Sequence, residues 1–208
     1  DIPTLSDEEI TQVLAGKITI FGHTAHTSKN SPRWHHDLRL PAEQNPTIAT
    51  TFSFDIAVKE CTNPDPLVLG FDIKYPWERA RFQHLLPLGK TFKKTHRADI
   101  FDFFKQEIES WITHNPYLYG PCWMNAIEVG IRATNLVWLI SFFYTEQTAK
   151  THEGFWNSYL TTLLEHARFI ANYWEDYDAP NNHYLLNLTG SWYLARFFAL
   201  HSLFPFGN

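Results

Sequence analysis

The chain has 208 residues, a formal net charge of −5 and an aromatic content of 16%, including eight Trp and seventeen Phe. That length is enough to bury a sizeable core, as one domain or two small ones. Net negative charge, with no basic cluster larger than Lys93-Lys94 beside His96 and Arg97, argues against binding a nucleic-acid backbone; the aromatics suit a helix-packed core or a groove that stacks flat ligands.

Ser6-Asp7-Glu8-Glu9 is a capping box and predicts a short helix through Leu14 that Gly16 ends. Lys17 to Gly22 alternates weakly and reads as one extended segment. Residues 23–65 carry scattered His, Pro, Asn and Asp without a helical period, so they read as long loops with one strand at most, Thr51 to Phe54. His23, His26, His35 and His36 fall in this stretch. With no helical HxxxH pair among them, they read as surface or loop histidines.

From Asp72 onward the pattern turns helical. Pro76-Trp77-Glu78-Arg79 opens a helix that Pro87 and Gly89 should kink or end. A second spans about Asp99 to Thr113, with Ile100, Phe104, Ile108 and Ile112 at four-residue spacing and His114-Asn115-Pro116 as its stop. A third runs from Trp123 to about Tyr144, and a fourth from about Glu153 to Trp174, with Phe155, Tyr159, Leu163 and His166 at helical spacing. An acidic loop from Glu175 to Pro180 then leads to Asn181 and a last, strongly apolar helix. Helices joined by short loops imply antiparallel neighbours and an all-α class, behind a loop-rich lead-in. The expected division is residues 1–70 for the lead-in and 71–208 for the helical portion.

Two polar stripes interrupt these apolar helices. On the last helix His183, Asn187 and Gly190 share a face, with Asn182 at its mouth, and the helix is rich enough in Leu, Phe and Tyr to be buried on most sides. On the third, Asn125, Glu128, Arg132 and Asn135 line one side. Such a stripe is either a solvated face or, since it lacks Lys, a set of groups holding a polar ligand or each other. Asn187-Leu188-Thr189 matches a glycosylation sequon but sits inside a helix and is discounted. Cys61 and Cys122 lack metal-type spacing; a disulfide between them stays open. No run of 18 uncharged apolar residues occurs, because Glu128 and Arg132 break the best one, so no membrane insertion is expected; no apolar leader is read at the N-terminus either.

Four stretches, Asp72 to His84, Trp111 to Pro116, Trp123 through Glu128 to Arg132, and Asn181 to Leu185, together resemble the heparinase II/III-like polysaccharide lyases. Gly16 to Gly22 with Trp34 is similar to the lead-in of members from bacterial capsule or exopolysaccharide clusters. The resemblance implies an incomplete (α/α) toroid that acts on acidic, uronate-containing polysaccharide by β-elimination, without a cofactor, in the periplasm or outside the cell. It implies Asn182 and His183 as catalytic groups and Arg132 as a second carboxylate contact steadied by Glu128, with Asn125, Asn187, Trp77, Trp123 and Tyr184 toward the sugar. Trp192 is a further stacking candidate, although core packing is the ordinary role of any one of these aromatics. The family's catalytic Tyr and a β-sandwich His are expected beyond Asn208, which makes the chain an N-terminal portion, inactive alone. The plainer readings keep His183 as a helix-start histidine and Arg132 as a buried partner of Glu128. Two other functions stay open: a non-catalytic carbohydrate-binding module, and a toroid glycoside hydrolase using Glu175, Asp176 or Asp178.

Overall fold

A computed structural model describes residues 2–45, 52–53, 70–176 and 181–202. The chain is mostly helical, the all-α class expected from sequence. It divides into two compact units, Asp1–Met124 and Asn125–Asn208.

In the first unit, helix α1 (Asp7–Leu14) begins as its capping box dictates: Ser6 Oγ accepts from Glu9 N–H, and the Glu9 carboxylate accepts from Ser6 N–H at 2.8 Å. Gly16 follows at φ 82°, where a Cβ would lie 2.0 Å from Thr27 O, so only glycine fits. Strands β1 (Lys17–Ile20) and β2 (His23–His26) then pair antiparallel, Ile20 opposite His23. Phe21 and Gly22 form the two-residue turn, both at positive φ, the geometry that matches strand twist. The second strand corrects the reading of residue 23 onward as loop. Its residues are polar because only Ala25 faces inward, packing with Ile18 and Ile20 of β1 against Leu38 and Tyr75.

Helices α2 (Lys74–Ala80), α3 (Leu85–Thr95) and α4 (Ala98–His114) complete this unit. Pro87 does not end a helix; it lies in the first turn of a new one, where the N–H it lacks has no intrahelical partner anyway. On α4, Ile100, Phe104, Ile108 and Trp111 are buried while Ile112 is only half-buried. Each four-residue step advances about 40° around a helix, so by Ile112 the row has drifted off the core face and Trp111 takes its place. Rings of Trp34, Phe82, Trp111 and Trp123 follow one another at 5.8, 5.6 and 5.9 Å through the core. Cys122 is buried, and Cys61 lies outside the described residues. Of the suggested strand at Thr51 to Phe54 only Phe52 and Ser53 are described; Phe52 bridges to Tyr119.

The second unit holds α5 (Ala126–Phe143), α6 (Glu146–Thr151), α7 (Glu153–Asn172) and α8 (Asn182–Ser202). Helix α6 was not expected; Thr145 and Thr148 build its capping box. Among the described residues α5 is the one helix long and apolar enough to cross a membrane. Here it packs against α7 and α8, with Glu128 and Arg132 both buried. Helices α5 and α8 meet at two glycines: a Cβ on Gly190 would stand 2.7 Å from Gly130 Cα, and one on Gly130 would stand 2.6 Å from Leu186 O. Helix α8 is less buried than its composition suggested. Leu185 and Trp192 are about 60% exposed and Leu188 is also exposed, whereas Asn187, Gly190, Leu194 and Phe197 form the inward face. The contact face is set by the glycine crossing, and the apolar residues on the far side fall outside it.

Candidate functional site

The polar residues of the second unit converge where α5 and α8 begin. Asn125 is the N-cap of α5, and its Oδ1 accepts from Glu128 N–H at 3.1 Å. Ile127 N–H, also in the first turn, donates to Glu175 Oε2 at 2.9 Å. A carboxylate at the positive end of an 18-residue helix is electrostatically favoured as well as hydrogen-bonded.

The same Glu175 oxygen faces His183 Nδ1 at 3.1 Å. An ionised carboxylate only accepts, so Nδ1 carries the proton and Nε2 lies on the opposite edge of the ring. His183 is half-buried and Asn182, beside it in the first turn of α8, is exposed. Asn181 caps that turn, its Oδ1 accepting from His183 N–H at 2.8 Å, as the helix-start signal predicted.

Asn187 is fully buried one turn further along. Its amide nitrogen donates to Ala126 O at 3.1 Å and His183 O at 3.3 Å, and its oxygen accepts from Glu175 N–H at 2.9 Å. It therefore joins α8, the start of α5 and the Glu175 segment. Full burial also leaves no room for a glycan at the sequon.

Arg132 and Glu128 lie beneath this mouth, both buried. Arg132 Nε donates to His166 Nε2 at 2.8 Å, and His166 Nδ1 donates to Thr162 O at 2.6 Å. Burial first, then the Arg132 charge, hold the His166 pKa well below the usual imidazole range. With both nitrogens bonded and the charged form disfavoured, His166 holds Arg132 in place.

The aromatic candidates fall in different settings. Tyr184 is half-buried, edge-on to Trp174 at 5.8 Å. Trp192 is exposed and lines an apolar cavity of about 400 Å³ with Trp138, Tyr193 and Phe197. In the first unit, Trp77 is half-buried and donates to Pro121 O at 2.8 Å. Trp123, fully buried there, donates to Asn115 O at 3.1 Å and fills the core.

Two partners were not singled out from sequence for these roles. Glu175 stood only among the acidic loop residues of the hydrolase reading, and His166 only as a position at helical spacing. Nothing local marks either one, because each acts on a residue of another element. No group of three metal-ligating side chains occurs among the described residues.

The family model described as heparinase II/III N-terminus matches residues 33–199. No curated protein and no solved structure matches the chain. The chain therefore belongs to the heparinase II/III family, a family of polysaccharide lyases.

Proposed function

We propose that this heparinase II/III family chain contributes Asn182 and His183 to the β-elimination of an acidic, uronate-containing polysaccharide. The observation that carries the reading is the Glu175–His183 pair: a buried carboxylate, tied to the start of α5, fixes the tautomer of a half-exposed imidazole beside an exposed amide.

Elimination removes the proton from C5 of the uronate, forms the C4–C5 double bond and expels the C4 oxygen with its glycosidic chain. The electron pair left by the C5 proton builds negative charge on the neighbouring carboxylate, so a donor aimed there stabilises the transition state more than the ground state. The Asn182 amide supplies that donor. His183 Nε2 accepts or relays a proton, and Glu175, which touches no substrate, positions it and stabilises the imidazolium that forms. Arg132 and Glu128 form the buried polar layer below. Asn125 and Asn187 hold the helix starts, while Tyr184 offers a ring at the mouth.

The test assays the native gene product against a panel of uronate polymers, reading the ultraviolet absorbance of the unsaturated uronate. Turnover is expected, with Asn182→Ala and His183→Ala each lowering kcat/KM by about a hundredfold or more at unchanged Tm. Glu175→Gln should shift the pH profile as well as the rate, which a purely structural residue would not do. Binding of these polymers without turnover by the wild type would instead assign a carbohydrate-binding module.

A further inference from the structure

The first unit contains a cavity lined by a guanidinium and three imidazoles. It has a volume of about 260 Å³ and is lined by Asn30, Ser31, Arg33, His35, His36 and His114, with no carboxylate in its wall. Two hydrogen-bonded turns shape it. Ser28 and Ser31 exchange both backbone bonds, at 3.1 and 3.0 Å, and His36 N–H donates to Arg33 O at 3.2 Å.

Arg33 sits at φ 55°, a left-handed conformation that side-chain-bearing residues rarely adopt. That backbone turns the guanidinium so that Nε donates to His36 Nδ1 at 3.4 Å and Nη2 to Leu40 O at 3.2 Å. Among the described residues Nη1 has no partner and is left for a ligand. Because His36 Nδ1 accepts from Arg33, the ring's proton is on Nε2, a second donor. His114, exposed at the end of α4, donates through Nδ1 to Ser110 O at 2.7 Å and adds its ring to the cavity wall.

More positive charge lies behind the wall. Arg79, buried, stacks its guanidinium 3.8 Å from the centre of the Trp34 ring and pairs with Glu107 at 3.3 Å. Its Nε and Nη1 have no hydrogen-bond partner among the described residues. Burial pushes down the pKa of both His35 and His36, against the Asn115 hydrogen bond at His35 and reinforced by Arg33 and Arg79 at His36. Both imidazoles are therefore held neutral, and Arg33 is the fixed cation of a wall without carboxylates.

We propose that the cavity formed by Arg33, His36 and His114 is a binding site for a tetrahedral oxyanion, a sulfate or phosphate group. Arg33 and His36 come from the lead-in turn and His114 from the end of α4, so nitrogen groups of two elements line one cavity, a setting suited to an anion with several acceptor oxygens. The anion can be free in solution or a substituent on a polysaccharide, and the chemistry of capture is the same.

Calorimetric titration of the purified protein with sodium sulfate, sodium phosphate and sodium acetate in low-salt chloride buffer tests this. Saturable binding of sulfate or phosphate is expected, with acetate weaker. Arg33→Gly removes the guanidinium while placing glycine where φ is positive, so Tm should hold or rise while affinity falls about tenfold or more. His36→Gln and His114→Gln should each weaken binding less. A sulfated disaccharide that binds more tightly than both inorganic sulfate and its unsulfated counterpart assigns the substituent; equal affinity for sulfate and the sulfated sugar assigns the free ion. Absence of saturable sulfate or phosphate binding up to the chloride concentration, or an Arg33→Gly protein that binds as the wild type does, would overturn the proposal.

Discussion

The crossing of α5 and α8 makes a quantitative demand on Gly190. An added Cβ would meet Gly130 Cα at 2.7 Å and Gly130 O at 3.0 Å, against about 3.4 Å for ordinary contact. Both obstacles are backbone, so no side-chain rotation relieves them, and the helices must part by about 0.7 Å near the crossing. Overpacking of this kind costs about 1–3 kcal/mol. Alanine returns up to about 1 kcal/mol of helix propensity, so Gly190→Ala should be destabilising by a net of about 1–2 kcal/mol. For a chain of this length that corresponds to a Tm lowered by about 3–6 °C in a thermal melt followed by circular dichroism. Gly154, in the first turn of α7 with nothing within 4 Å of a built Cβ, is the internal control. Gly154→Ala should hold or raise Tm by the propensity term alone. If Gly190→Ala melts at or above the wild type, the close backbone contact of the two helices is not present in solution.

Three further outcomes follow from buried polar groups. Asn187→Ala should cost about 2–3 kcal/mol in urea unfolding, because it takes the acceptor from Glu175 N–H and the side-chain bonds to Ala126 O and His183 O that tie the two helix starts together. Arg132→Ala should cost about 2–5 kcal/mol, since it leaves a cavity and takes the donor from buried His166 Nε2; a loss under about 1 kcal/mol would mean the guanidinium is hydrated. His35 is buried against Asn115, and burial lowers its pKa from 6.5 to about 4. The folded state then binds fewer protons than the unfolded one between these values. Stability is full above about pH 6.5 and falls as pH drops toward 4, by about 3 kcal/mol from this group. His35→Gln should flatten that slope in unfolding curves taken across the range, and an unchanged slope would place the titration elsewhere.

The local signals were legible in the chain. Ser6 and Glu9 announced α1, Asn181 announced α8, and the apolar period announced α4, α5 and α7, because each depends on residues within a turn or two. Errors arose where a signal had two local meanings: Pro87 stops one helix or opens the next, and His23 to His26 is loop or the polar partner of a hairpin. The polar stripes were also visible as stripes, but not what each member does.

The sequence by itself determined that this is a helical chain of the heparinase II/III family, with amides, an imidazole and a guanidinium set into apolar helices. Only the tertiary structure decided which of these groups are already occupied. Asn187 is used up holding the starts of two helices together, Arg132 is held by His166, and His183 is left half-open with Glu175 behind it. Helix starts are settled by hydrogen bonds spanning a few residues. Whether a polar side chain is satisfied inside or left for a ligand depends on partners 8 to 48 residues away, which no local pattern records.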